Sequence, residues 1–178
     1  MTNELSAIIA QASREAFSRL FASVDEEFYY CTLVTTGEAL PPQISAWSWE
    51  ALNRVAEGKS KPEMWRSMLK WSYADSPYVD FGSEFFKPVY EAFEARPSMT
   101  TGMIADEWDR EFSFRLNAMT EAMKTLSDEG IFGTGEARAA KIVLVEVVPP
   151  DASNAERARL LNREGPALAN WIEEAGEE

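Results

Sequence analysis

The 178-residue chain contains no histidine and one cysteine, Cys31. Without imidazole there is no Ser-His-Asp triad and no His-ligated zinc. A single thiol excludes an intramolecular disulfide and any multi-cysteine metal or iron–sulfur centre. Long hydrophobic runs are missing too, and no window approaches the roughly 18 apolar residues of a membrane span. The segment Met1–Leu5 has neither the positive region nor the apolar run of a signal peptide, so the expected compartment is the cytoplasm. Basic residues are scarce: 17 Lys and Arg stand against 30 Asp and Glu, a net charge of −13. The imbalance is uneven, with 12 acids and 8 bases in residues 1–89 and 18 acids and 9 bases in 90–178. Such a field repels nucleic-acid backbones and anionic membranes, and favours a basic partner or plain solubility.

What is present suffices for a core. Apolar residues make up 46% of the chain, and 10 Phe, 6 Trp and 5 Tyr supply bulk. A single domain over 1–178 buries about 70% of the surface its unfolded chain exposes, without disulfide or metal. No linker, repeat or low-complexity run divides it.

Leu5, Ile8, Ile9, Ala12, Ala16, Leu20 and Phe21 form one stripe and predict a first helix. Residues 27–35 switch to aromatic and β-branched types with both alternating sets apolar, the pattern of a strand covered on two sides. Gly37 and Pro41-Pro42 mark a turn before a second strand at 43–47. Short helices are expected at 49–56, ended by Gly58, and after a capping box of Ser60 and Glu63. Another is expected at 84–95, with Pro88 in its first turns or kinking it. The longest helix is predicted over 102–129, where Trp108, Phe112, Leu116, Met119, Met123 and Leu126 recur at helical spacing and Gly130 supplies the stop. Residues 141–148 are the strongest strand signal. With no proline, and charge only at Lys141 and Glu146, they are expected at or near the sheet centre beside 27–35. Ser153 and Glu156 predict a cap for a helix ending at Leu161, and a last helix covers 166–175. Glu173, Glu174, Glu177 and Glu178 are expected to form a solvated, frayed end. The fold class is α+β, with a small, mostly antiparallel sheet packed with several helices.

Candidate chemistry is sparse. Gly130, Gly133 and Gly135 suggest a phosphate cradle, but a dinucleotide fingerprint needs glycine where Arg138 stands and a strand before the turn, not a helix. They read as a helix stop and tight turn. Asp106, Glu107, Asp109 and Glu111 crowd one helix start, and Glu107 and Glu111, at i and i+4, share a face able to ligate a hard cation. No second carboxylate pair or histidine joins them, so the run reads as a solvated face or docking surface. Cys31 lies in the most apolar strand with no base to activate it, and reads as a buried structural thiol. Trp47 and Trp49, with Trp65 and Trp71, form an aromatic cluster in which one or two rings are candidate interface anchors.

Several segments resemble a known family as a set: FYYCTLVTTGEALPPQISAWSWEAL at 28–52, MLKWSYADSPY at 68–78 around Trp71, Asp75 and Tyr78, and LSDEGIFGTGEARAAKIVLVEVV at 126–148 with Gly130, Phe132, Gly133, Gly135 and Arg138. Leu160–Asn162 closes the match. Together they are similar to the bacterial domain-of-unknown-function family numbered 4303. Trp47–Glu50 departs from the polar run expected of that family. The resemblance carries no assigned activity, and its motif residues read as structural. It does imply a likeness to small acidic immunity proteins that pair with secreted bacterial toxins. The expected function is therefore a non-enzymatic immunity protein occluding the basic active site of a cognate toxin. Its partner-binding candidates are Asp106, Glu107, Asp109, Glu111, Trp47 and Trp49. No catalytic residue, metal or cofactor is assigned, and neither nucleic acid nor membrane is an expected partner. The alternatives are a carboxylate-based enzyme or small-molecule binder around Glu107 and Glu111, and an adaptor or structural subunit.

Overall fold

The apolar run Phe28–Thr36 becomes β1, the middle strand of a three-stranded sheet in the computed structural model, which describes residues 4–100 and 102–176. Eight of its nine residues are buried, as cover on both faces requires. β2 (Gln43–Ser48) returns antiparallel beside it, placing Ile44 opposite Leu33 and Trp47 opposite Tyr30. β3 (Ile142–Val148) lies parallel on the other side, with Val145 opposite Leu33. The order β2-β1-β3 makes the sheet mixed, with one ladder of each kind, rather than mostly antiparallel. The cause is the long helical connection from β2 to β3, which brings β3 back parallel to β1.

β3 does pair with β1, yet it stands at the edge and not near the centre. Its cover comes from the helix that follows. Asn154 accepts from the Val147 N–H at 2.8 Å and donates to the Val147 carbonyl at 3.0 Å. Asn162 treats Val143 the same way, at 3.0 and 2.8 Å, and Arg157 Nε donates to the Val145 carbonyl at 2.9 Å. Side chains thus do the work of a fourth strand, and the aggregation hazard of an apolar edge is removed without centrality.

Eight α-helices surround this sheet among the described residues: α1 (Glu4–Ser23), α2 (Trp49–Glu57), α3 (Pro62–Leu69), α4 (Lys87–Glu94), α5 (Ala105–Asp128), α6 (Gly135–Ala139), α7 (Ala152–Leu161) and α8 (Pro166–Ala175). α1 packs along α5, burying Phe17 and Leu20 with Met119, Met123 and Leu126 in one core cluster. Local signals set most boundaries. Ser48 caps α2 by accepting from the Ala51 N–H at 3.0 Å, and Gly58 ends it. α5 closes with a Schellman motif: Gly130 takes φ +80°, the Ile131 N–H returns to Leu126 O, and the Gly130 N–H to Ser127 O. A 3-10 turn, Ser83–Phe86, leads into α4, with Pro88 in its first turn.

Two capping boxes do not form. α3 starts on Pro62, where the missing N–H costs nothing, so Ser60 falls too early and Lys61 holds the N-cap without a side-chain bond. α7 starts two residues sooner than Ser153 implies, because Asp151 accepts from the Ser153 N–H at 2.9 Å. Glu177 and Glu178, expected in a frayed end, lie outside the described residues.

Candidate functional site

The start of α5 carries the acidic run, and the structure divides it. Asp106, Glu107 and Asp109 are exposed, and no described cation forms an ion pair with any of them. Between them Trp108 stacks on Phe112, ring centroids 4.8 Å apart at 15°. Met99, Met103 and Trp108 line a groove of about 400 Å³ together with the carboxylates of Glu38 and Asp109. Glu107 borders a neighbouring cavity that Met103 also lines, beside Arg110 and Phe114.

Glu111 lines that neighbouring cavity too, but its carboxylate is committed to internal partners. Only 7% exposed, it takes two bonds from Arg96 at 2.6 and 2.7 Å and one from Arg115 at 2.7 Å. Arg115 also donates to Pro97 O at 2.7 Å and lies over the Phe93 ring, while Arg96 lies over Phe114. Burial works against the Glu111 carboxylate, but the two guanidiniums hold its pKa below the ordinary value. The residue therefore ties the segment after α4 to α5, and is neither a metal partner for Glu107 nor a docking group. The i,i+4 spacing showed a shared helical face, but not that Arg96 would reach across to half of it.

The tryptophans separate as well. Trp47 is fully buried, its Nε1–H donating to Ser72 O at 2.7 Å, so it is core and offers no surface. Trp49 is 39% exposed and stacked on Tyr29, centroids 3.9 Å apart, with Lys70 over its outer edge. It belongs to a cluster with Tyr29, Lys70 and Trp71 rather than to the acidic groove. Cys31 is buried, and burial pushes its thiol up to about 12, which removes the thiolate needed for nucleophilic chemistry. In the strand pair behind it, Tyr30 donates to Glu146 at 2.5 Å, and burial raises both groups.

One cavity escapes the sequence. About 420 Å³ opens between the end of α5, the glycine turn, α6 and the α7–α8 connection. Lys124, Arg138, Lys141 and Arg163 line it, and Asp128 is the one carboxylate among its described lining. These bases come from three separate stretches of chain, around 124, 138–141 and 163, so no local motif brings all four together; the glycine turn and Arg138 are the sequence signals at the place. No group of three or more Cys, Asp or Glu side chains among the described residues is arranged to hold a metal ion. No helix among them is long and apolar enough to cross a membrane.

The architecture defines a class: an α+β protein with, among the described residues, a three-stranded mixed sheet and eight helices, carrying a basic cavity and an acidic groove on its surface. The model of the domain of unknown function DUF4303 matches residues 9–163, and the chain belongs to that family. No curated protein and no solved structure matches it.

Proposed function

We propose that this protein is a non-enzymatic binding protein that neutralises a cognate bacterial toxin by docking the acidic end of α5 on the toxin's basic active site. The groove carries the reading. Met99, Met103 and Trp108 offer an apolar floor lined by the carboxylates of Glu38 and Asp109, and the exposed Asp106 and Glu107 flank Trp108 in sequence on α5. That is the anatomy of a protein interface with a hot-spot centre and polar rim. A basic side chain from the partner gains a cation–π contact with Trp108 and carboxylates on either side. A standard interface takes about 800 Å² from each partner. That is under a tenth of the 9499 Å² this chain exposes. The charge of −13 would steer encounter and resemble a nucleic-acid or nucleotide substrate to the toxin.

The test co-expresses the chain with the toxin domain encoded in the neighbouring reading frame and scores growth and co-purification. Rescue by wild type, with loss of rescue and a roughly tenfold or greater drop in on-rate for Glu107→Lys/Asp109→Lys, supports the reading. Rescue unaffected by the double reversal, a salt-independent on-rate, or no toxin frame beside the gene counts against it.

A further inference from the structure

We propose that the cavity beside the glycine turn binds a small phosphomonoester, its phosphate on Arg163, Lys141 and Lys124 and its organic part against Leu160 and Leu168. The charge distribution is the first argument. In a chain with 30 acids and 17 bases, four bases and one acid line this single cavity. The acid, Asp128, is bound to Lys124 at 2.7 Å and so does not answer the other three.

The second argument is Arg138. It is half-buried, and no described carboxylate pairs with it. Its guanidinium is held by neutral acceptors instead: Leu161 O at 2.7 Å, Lys141 O at 3.0 Å, Asn162 Oδ1 at 3.2 Å and Ser127 Oγ at 3.3 Å. Burial and the nearby Arg163 charge both lower its pKa, the signature of a cation without a counterion. Because the fold uses its donors, Arg138 contributes a fixed positive field rather than a contact.

The contacts are left to the others. Arg163 is exposed and has no described ion-pair partner, and Lys141 Nζ reaches only the Ala137 carbonyl at 3.1 Å. A phosphomonoester carries about −1.5 to −2 charge at pH 7 and three strong acceptor oxygens. It matches a cavity lined by these cationic side chains better than a carboxylate with one charge and two oxygens does. The volume, about 420 Å³, falls within the roughly 300–1,000 Å³ of small-molecule sites and exceeds what a bare phosphate fills. Leu160, 73% exposed, and the neighbouring Leu168 supply an apolar wall for the remainder.

This site shares no residue with the acidic groove, so the two proposals stand or fall separately. The experiment is an amide chemical-shift titration of the full chain at low ionic strength, with adenosine 5′-monophosphate, inorganic phosphate and adenosine as probes. The monophosphate should give saturable shifts at Gly133, Gly135 and Lys141, phosphate should compete more weakly, and adenosine should give none. Affinity should fall below pH 6 as the dianion protonates. Arg163→Glu, at an exposed position, should keep the spectrum of a folded protein and weaken the monophosphate about tenfold or more, and Lys124→Glu should act in the same direction. No saturation by about 10 mM monophosphate overturns the proposal, as do shifts indifferent to both reversals. Equal affinity for phosphate and the monophosphate overturns the organic subsite.

Discussion

Asn154→Ala is the sharpest test of how the sheet survives with its strongest strand at the edge. Asn154 is 3% exposed and satisfies both backbone groups of Val147, while its Oδ1 also accepts from Arg157. Truncation strands one N–H and one C=O against α7, and each costs about 1–3 kcal/mol when left dry. Arg157 keeps its bond to Val145 O, so its loss is partial. Some water entry near the exposed Pro149 lowers the sum to about 2–4 kcal/mol. At about 2–4 °C per kcal/mol for a chain this size, Tm should drop by roughly 5–15 °C. Asn154→Asp keeps an acceptor for the Val147 N–H but loses the donor to its carbonyl, and should fall between wild type and alanine. Urea unfolding at constant m gives the free energy, and amide exchange at Val147 locates it. A loss under about 0.5 kcal/mol, with Val147 exchanging as slowly as Leu144, would refute the edge-capping argument.

Glu111→Gln should cost about 3–5 kcal/mol, because it leaves two guanidiniums facing a neutral amide in a buried site. Its folded pKa is depressed, so the charge contributes stability above the ordinary value of 4.5 and loses it as pH falls through the lowered value. The gap between wild type and variant in a Tm–pH series should therefore narrow below about pH 4.5; a constant gap would contradict the ion-pair account. Glu146 has the opposite sign. Burial raises its pKa, so stability present at low pH erodes as pH rises from the unfolded value through the folded one. Glu146→Gln, always neutral and still able to accept from Tyr30, should gain on wild type as pH rises above 4.5, and parallel curves would refute this.

Local physics was legible and non-local pairing was not. The switch from helical stripe to apolar strand at Phe28, the long repeat of α5 and the stop at Gly130 are written in neighbouring residues, and each stands where its pattern puts it. β3 was recognisable as a strand, but its edge position depends on Asn154, Arg157 and Asn162, whose role appears only once α7 lies beside it. An apolar run therefore does not by itself specify the centre of a sheet. The acidic run was legible as composition; which member was internal was not, because Arg96 arrives from before the helix begins. Trp47 and Trp49 are two residues apart, yet one strand end and one helix start send the first into the core and leave the second partly in solvent.

The same non-local accounting changes what the net charge means. Residues 90–178 hold nine bases against 18 acids. Four of those bases line the cavity at Arg138, Arg96 and Arg115 are spent on Glu111, and Arg157 is buried along the edge of β3. Of that half's own bases only Arg110 and Arg159 are left, while Arg14, Lys70 and Lys87 reach Glu129, Glu174 and Glu91 from the other half. Arg110 itself donates through Nε to the Asp106 backbone rather than to a carboxylate. The surface around Asp106, Glu107 and Asp109 is thus more negative than the chain average implies, and the cavity is positive within it. Screening over about 8 Å at physiological ionic strength lets the two fields act on separate partners. An average of −13 describes neither surface, since the fold has sorted the charges by sign.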